Sequence, residues 1–150
     1  MKRRTPKRKM DVPRPYNGGE WTEARFRSFI MSALRSASKR WGPRQEALKG
    51  ARTRRGFYLC ALCREEVPAS SWSVYKSGKK KGKPKKVKNN QMDHVEPVIP
   101  FEWGDGPKFI GYDWNEVARR LFTEVDGWQC ICNSCHERVT AEERERRKKC

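Results

Sequence analysis

The chain has 150 residues, 35% apolar and 35% charged, with a net charge of +17. That length suits one domain with a helical or disordered extension, and so lean an apolar fraction predicts a small core that needs a staple such as a metal or disulfides. No run of about 18 apolar residues occurs, and no apolar stretch follows the Lys/Arg-rich start, so neither a membrane span nor a secretory leader is expected and a cytoplasmic protein is.

The charge is uneven. Residues 1–59 hold 17 basic and 4 acidic side chains, whereas residues 60–150 hold 18 and 14. Basic clusters bind phosphate backbones by releasing condensed counterions, so a polyanion partner fits, as does a plain solvated surface. Residues 1–19, Pro-rich and basic, read as a disordered arm that either grips nucleic acid or solubilises the chain. Residues 20–55 read as a helical, basic extension. Trp21–Trp41 carries Phe26, Phe29, Ile30, Ala33 and Leu34 at three- and four-residue spacing, which predicts one core-facing stripe. Arg25, Arg27, Arg35, Lys39 and Arg40 fall on other faces and are candidate phosphate contacts. Gly42-Pro43 breaks the pattern, and a second helix is expected from Pro43 to Arg54.

Residues 56–150 then alternate short strands, turns and helices. Gly56–Cys63, the stretch around Trp72, Val74 and Tyr75, and Val87–Met92 predict strands. Between the last two, residues 77–86 read as a flexible loop, because Gly and Pro interrupt it. Lys76 through Lys88 contains 8 lysines and no acid. Lys79, Lys80, Lys81, Lys83, Lys85 and Lys86 are candidate sequence-independent phosphate contacts, against the plainer reading of a mobile surface loop. Asp113 predicts an N-cap for a helix over Trp114–Val125, with Glu116 and Arg120 paired on it. A turn at Asp126-Gly127, a strand over Trp128–Ile131 and a polar final helix close the chain. That helix begins near His136 and is expected to fray at its end.

Two Cys-x-x-Cys pairs, Cys60/Cys63 and Cys132/Cys135, carry the chemistry. A two-residue spacer lets both sulfurs of a pair reach one ion, and four thiolates complete a tetrahedral Zn²⁺ site. Disulfides are the alternative, disfavoured in a reducing compartment. Cys130 reads as a small buried hydrophobe and Cys150 as an exposed thiol. The only two histidines both stand by these motifs: His94 follows Asp93, and His136 follows Cys135.

Asp93-His94, then Cys132-x-x-Cys135-His136 with Thr140 four residues on, framed by the earlier Cys60-x-x-Cys63, resembles the zinc-stapled HNH endonucleases of small bacteriophage type. The resemblance covers Cys60–Thr140. It implies an α+β fold: a ββα-metal (His-Me finger) nuclease core with a structural four-cysteine zinc site, preceded by a helical extension. It further implies a metal-dependent endonuclease acting on duplex or branched DNA, leaving 5′-phosphate and 3′-hydroxyl ends. His94 would be the general base, Asp93 and His136 ligands of a catalytic Mg²⁺ or Mn²⁺ (Ni²⁺ being admissible to an imidazole), and the four cysteines the zinc site. The middle letter departs: the family asparagine aligns with Gly127, leaving Asp126, Asn115 or Asn133 to brace the loop. Two alternatives stay open. One is a phage-type junction resolvase, although such enzymes usually place asparagine where His136 stands. The other is a catalytically silent zinc-stapled binding protein. The sequence leaves the oligomeric state open.

Overall fold

The computed structural model describes residues 12–104 and 109–149. Residues 1–11 of the expected arm, and Cys150, lie outside the described residues. The chain divides into two compact units, Met1–Ala37 and Ser38–Cys150.

In the first unit the expected disorder through Gly19 gives way to a closed turn. Tyr16 and Trp21 exchange backbone hydrogen bonds of 3.4 and 3.1 Å. Asn17, Gly18 and Gly19 between them take φ of 50°, 64° and 89°, a left-handed path that glycine adopts without steric cost. Helix α1 (Glu23–Ser38) holds this turn in place. The Tyr16 ring stacks on Phe26 at 4.1 Å, and Trp21 meets Phe29 at 5.2 Å, so two residues of the stripe cover local aromatic rings. Thr22 caps the helix by accepting the Arg25 N–H at 3.3 Å.

The second unit opens with α2 (Gly42–Gly50), which ends four residues before the expected Arg54. Arg52–Arg54 instead forms strand β1, which pairs antiparallel with β2 (Phe57–Leu59), and β2 pairs with β3 (Glu66–Pro68). Strands β4 (Ser70–Val74) and β5 (Pro84–Lys88) make an antiparallel ribbon. The expected loop is thus shorter by Pro84, Lys85 and Lys86, because proline is tolerated as the first residue of an edge strand. Strand β6 (Asn90–His94) pairs antiparallel with β7 (Trp128–Cys132), in register from Asn90↔Cys132 to His94↔Trp128. Helix α3 (Trp114–Leu121) lies in the connection between them, and α4 (Asn133–Lys149) follows β7 directly. The architecture is α+β with small antiparallel sheets, and among the described residues no helix is long and apolar enough to cross a membrane.

Strand β7 is the buried spine, and Ile131 is fully enclosed. The connection from β6 to β7 is tied down by backbone groups. Val95 N–H donates to Gly127 O at 2.9 Å, extending the β6/β7 ladder past its end. The indole N–H groups of Trp41 and Trp128 both donate to Thr123 O, at 2.8 and 3.3 Å. Asp113 caps α3 as expected, accepting from the N–H groups of Asn115 and Glu116. The helix stops at Leu121, four residues earlier than predicted, and a short 3-10 turn at Val125–Gly127 leads into β7.

Gly127 owes its identity to that turn. A Cβ there would sit 2.5 Å from Thr123 Cγ2 and 2.8 Å from Thr123 Cβ, closer than real side chains approach. Gly127→Asn, which writes the family asparagine back, is therefore expected to cost about 1–3 kcal/mol through overpacking. A thermal melt checks this: a midpoint equal to or above that of the parent would mean the asparagine braces the loop after all. Of the candidates to replace that brace, Asn133 is engaged, donating to Lys88 O at 2.8 Å and accepting from Gln91 Nε2 at 3.3 Å.

The last helix is anchored at its far end. Arg147 donates to Ile99 O at 2.6 Å and Pro100 O at 3.4 Å, while the guanidinium groups of Arg146 and Arg147 lie 4.3 and 4.9 Å from the Phe101 ring centre. The fraying expected from its polar sequence is countered by these contacts, which no helical periodicity signals.

Candidate metal centre and adjoining cleft

The sulfurs of Cys60, Cys63, Cys132 and Cys135 all lie within 4.8 Å of one another. Two turns 72 residues apart are brought together by backbone groups. Ala61 N–H donates to Cys130 O at 2.8 Å, and Cys132 N–H points at Cys60 Sγ at 3.3 Å. The first knuckle closes tightly, with Arg64 N–H on Cys60 O at 3.0 Å, and Arg64 itself is left-handed at φ 63°. Cys63 and Cys132 sulfurs are 3.9 Å apart, far beyond a disulfide's roughly 2.05 Å. That spacing matches the edge of a ZnS₄ tetrahedron, about 3.8 Å for bonds near 2.3 Å.

Proton competition among the four sulfurs fits a cation. Burial pushes the Cys60 thiol up, but the N–H groups of Cys132, Cys63 and Leu62 outweigh it and bring the thiol down to about 6. Its neighbours act oppositely on Cys135, which Cys132 chiefly, with burial and Cys60, pushes up to about 12. Four thiols so close cannot all ionise beside one another without a positive charge to share, and the donor set is one that can hold a structural metal such as zinc. Cys130 is buried outside this group, its thiol pushed up by burial while receiving Asn90 Nδ2–H at 3.3 Å.

Asp93 and His94 are the last two residues of β6, and His136 lies in the first turn of α4. In-register pairing turns Asp93 and His94 to opposite faces of the β6/β7 pair. The His94 ring packs on Trp128, its cross-strand partner, with centroids 3.9 Å apart. His94 Nε2 lies 3.2 Å from Leu121 O. A carbonyl only accepts, so Nε2 carries the proton and the lone pair of the neutral ring sits on Nδ1.

On the α4 side, half-buried Glu143 lies two helical turns beyond His136. Burial pushes its carboxyl up and the Asp93 charge adds to that, while Arg147 and His136 pull it down. Asp93, His136 and Glu143 thus share one electrostatic neighbourhood. Among the described residues, only the four cysteines form a group of three or more thiol, imidazole or carboxylate ligands within mutual reach. An ion held by Asp93 and His136 would complete its shell with water.

On the other face, His94 borders a cleft of about 250 Å³ lined by Arg119, Arg120, Thr123, Asp126 and Gly127 among others. Glu116 fixes both arginines, at 2.7 Å to Arg119 and 2.5 Å to Arg120. Hydrogen bonds from Arg119 first, then Arg120, hold the Glu116 carboxyl down to about 2. Arg120 also donates to Pro97 O at 3.0 Å, so the guanidinium pins the loop beyond β6 to α3.

Apart from half-buried Arg27, the candidate phosphate contacts are all exposed, and they are distributed over several elements. Arg25, Arg27 and Arg35 lie in the first unit, Arg25 with its guanidinium 4.9 Å from the Trp21 ring centre. Lys39 and Arg40 follow α1 in the second. Lys79, Lys80, Lys81 and Lys83 lie in the turn that joins β4 to β5, whereas Lys85 and Lys86 lie on β5. Sequence reasoning missed Glu143, Arg119 and the Trp128 platform under His94. A seven-residue step from His136 would have flagged Glu143; nothing in the sequence flags the other two, since Trp128 meets His94 through the β6/β7 register and Arg119 reaches the cleft from α3. No family model, curated protein or solved structure matches the chain.

Proposed function

We propose that the chain is a metal-dependent endonuclease of the HNH type, hydrolysing phosphodiester bonds in DNA. The observation that carries this is topological. Asp93 and His94 end the first strand of an antiparallel pair whose second strand runs through Cys132 straight into the helix bearing His136. A strand pair followed by a helix fits the ββα arrangement that the motif implies, and a zinc held by the cysteine cluster would fasten it at its root.

The residues divide the work as follows. His94 Nδ1 takes a proton from the attacking water, whose oxygen bonds to phosphorus as the bond to the 3′ oxygen breaks; the departing oxygen takes a proton from a solvent water, leaving a 5′ phosphate and a 3′ hydroxyl. The Leu121 carbonyl and the Trp128 ring hold the imidazole in the tautomer this requires. Arg119 presents positive charge at the cleft His94 borders. Asp93 and His136 would hold the divalent ion, Mg²⁺ or Mn²⁺, with Ni²⁺ admissible to the imidazole nitrogen. When bound, it supplies charge neutralisation at the scissile phosphate and the departing oxygen. Because His94 is the last residue of β6, a phosphodiester laid across the strand's end meets groups from both faces of the sheet.

The test is incubation of the purified protein with supercoiled plasmid and each of Mg²⁺, Mn²⁺ and Ni²⁺. Nicked or linear product is expected with at least one metal, and intact plasmid throughout would overturn the assignment. Lys79→Ala/Lys80→Ala/Lys81→Ala should weaken binding to all sequences alike, reducing the slope of log affinity against log salt by about one for each phosphate no longer neutralised. A changed sequence preference would instead mean that the lysines read bases. A catalytically silent nucleic-acid-binding role is favoured by one observation, the turning of Asp93 and His94 to opposite faces. It predicts undiminished binding with no cleavage under any metal.

A further inference from the structure

The β4/β5 ribbon leaves unused a feature that phosphate binding does not explain. Every residue of β4 from Ser71 to Val74, and every residue of β5 except Val87, is exposed. Trp72 is 75% exposed and Val74 53%. Antiparallel partners share a face, so Trp72 stands opposite Lys86 and Val74 opposite Pro84, with Lys88 one step along the same face. The other face carries Tyr75, with Lys80 and Lys85 ammonium groups 5.8 and 5.4 Å from its ring centre. From Ala69 to Asn90 the chain has no acidic residue.

Two facts need a partner. A two-stranded ribbon exposed on both faces is marginally stable alone in water. An indole held in the open among lysines gains nothing from phosphate, yet it matches the π-face of a nucleobase, while the lysines match the backbone on either side. Bases within a duplex are already stacked and offer only their edges. The ribbon is rooted next to the strand that ends in Asp93 and His94, since Asn89 alone separates β5 from β6, with Asn89 N–H donating to Ala69 O at 3.1 Å.

We infer that the β4/β5 ribbon is a docking surface for unpaired nucleic acid, with Trp72 stacking on an exposed base and Lys86 and Lys88, on the same face, reaching its phosphates. The substrate class is then single-stranded, gapped or branched nucleic acid in preference to intact duplex. This deepens the nuclease proposal by naming its substrate, but the docking stands on the ribbon alone.

The experiment is fluorescence-anisotropy titration of the full chain with a labelled single strand and the matching blunt duplex, at fixed salt and with no added divalent metal so that no strand is cut. Trp72→Ala is expected to weaken single-strand binding about 5- to 100-fold, the range for losing one stacked base, while duplex binding changes less than about twofold. Trp72→Phe should restore most of the loss. Because Trp72 is so exposed, the fold should survive both changes, which circular dichroism verifies. Equal losses on the two substrates, or no loss on either, would overturn the stacking assignment. Plasmid left intact by the parent, alongside a selective Trp72→Ala loss, would remove the nuclease and leave the ribbon standing; the opposite pair of results would do the reverse.

Discussion

Cys60→Ser is expected to abolish the cooperative unfolding transition of the second unit, and a strong zinc chelator to do the same to the parent chain. Among the described residues, half of the buried apolar side chains of that unit are cysteines: Cys60, Cys130, Cys132 and Cys135, beside Val117, Leu121, Trp128 and Ile131. A core this small cannot offset chain entropy unaided. Bound zinc contributes about 10–16 kcal/mol in small modules, as much as the whole stability of an ordinary domain, about 5–15 kcal/mol. Serine at position 60, a site fully shielded from solvent, removes one ligand and leaves a hydroxyl among three sulfurs. One zinc per chain by elemental analysis, with the thermal transition lost in the variant, is the expected pair of results. A variant that melts at the parent's temperature without metal would show that the sulfurs are clustered for packing alone.

The second large effect belongs to His94. His94→Gln keeps an N–H that can donate to Leu121 O but has no basic lone pair at neutral pH, so it separates the proton transfer from the packing on Trp128. Cleavage should fall about 10²- to 10⁴-fold, the usual contribution of a general base, with affinity for DNA within about twofold. Timed plasmid nicking under the best metal reads the first, and anisotropy reads the second. Activity within tenfold of the parent would move the base elsewhere, and Glu143 on the Asp93 side is then the group to replace next.

The cysteine cluster is legible in the sequence because its signal is local spacing, and the cap at Asp113 because capping is chemistry of adjacent residues. Strand alternation is legible too, but not its consequence: whether β6 turns before or after His94 depends on its pairing with β7, a contact 34 residues away along the chain. The Lys-rich segment misleads at its far end, since Pro84 looks like a breaker and is a strand's first residue on an open edge. Gly127 looks like a lost asparagine. It is required by Thr123, whose approach only the folded chain reveals. The anchoring of α4 through Arg147 likewise depends on carbonyls of Ile99 and Pro100 that nothing in the helix announces.

The clasp between residues 60–63 and 132–135 also sets an order of events during synthesis. A polypeptide leaving the ribosome displays Cys60 and Cys63 well before their counterparts exist, so the early pair must wait, reduced and open to oxidation, while the ribbon and α3 are still being made. Nascent chains halted before Cys132 should stay protease-sensitive, and resistance should arrive in one step once Cys135 has cleared the exit tunnel.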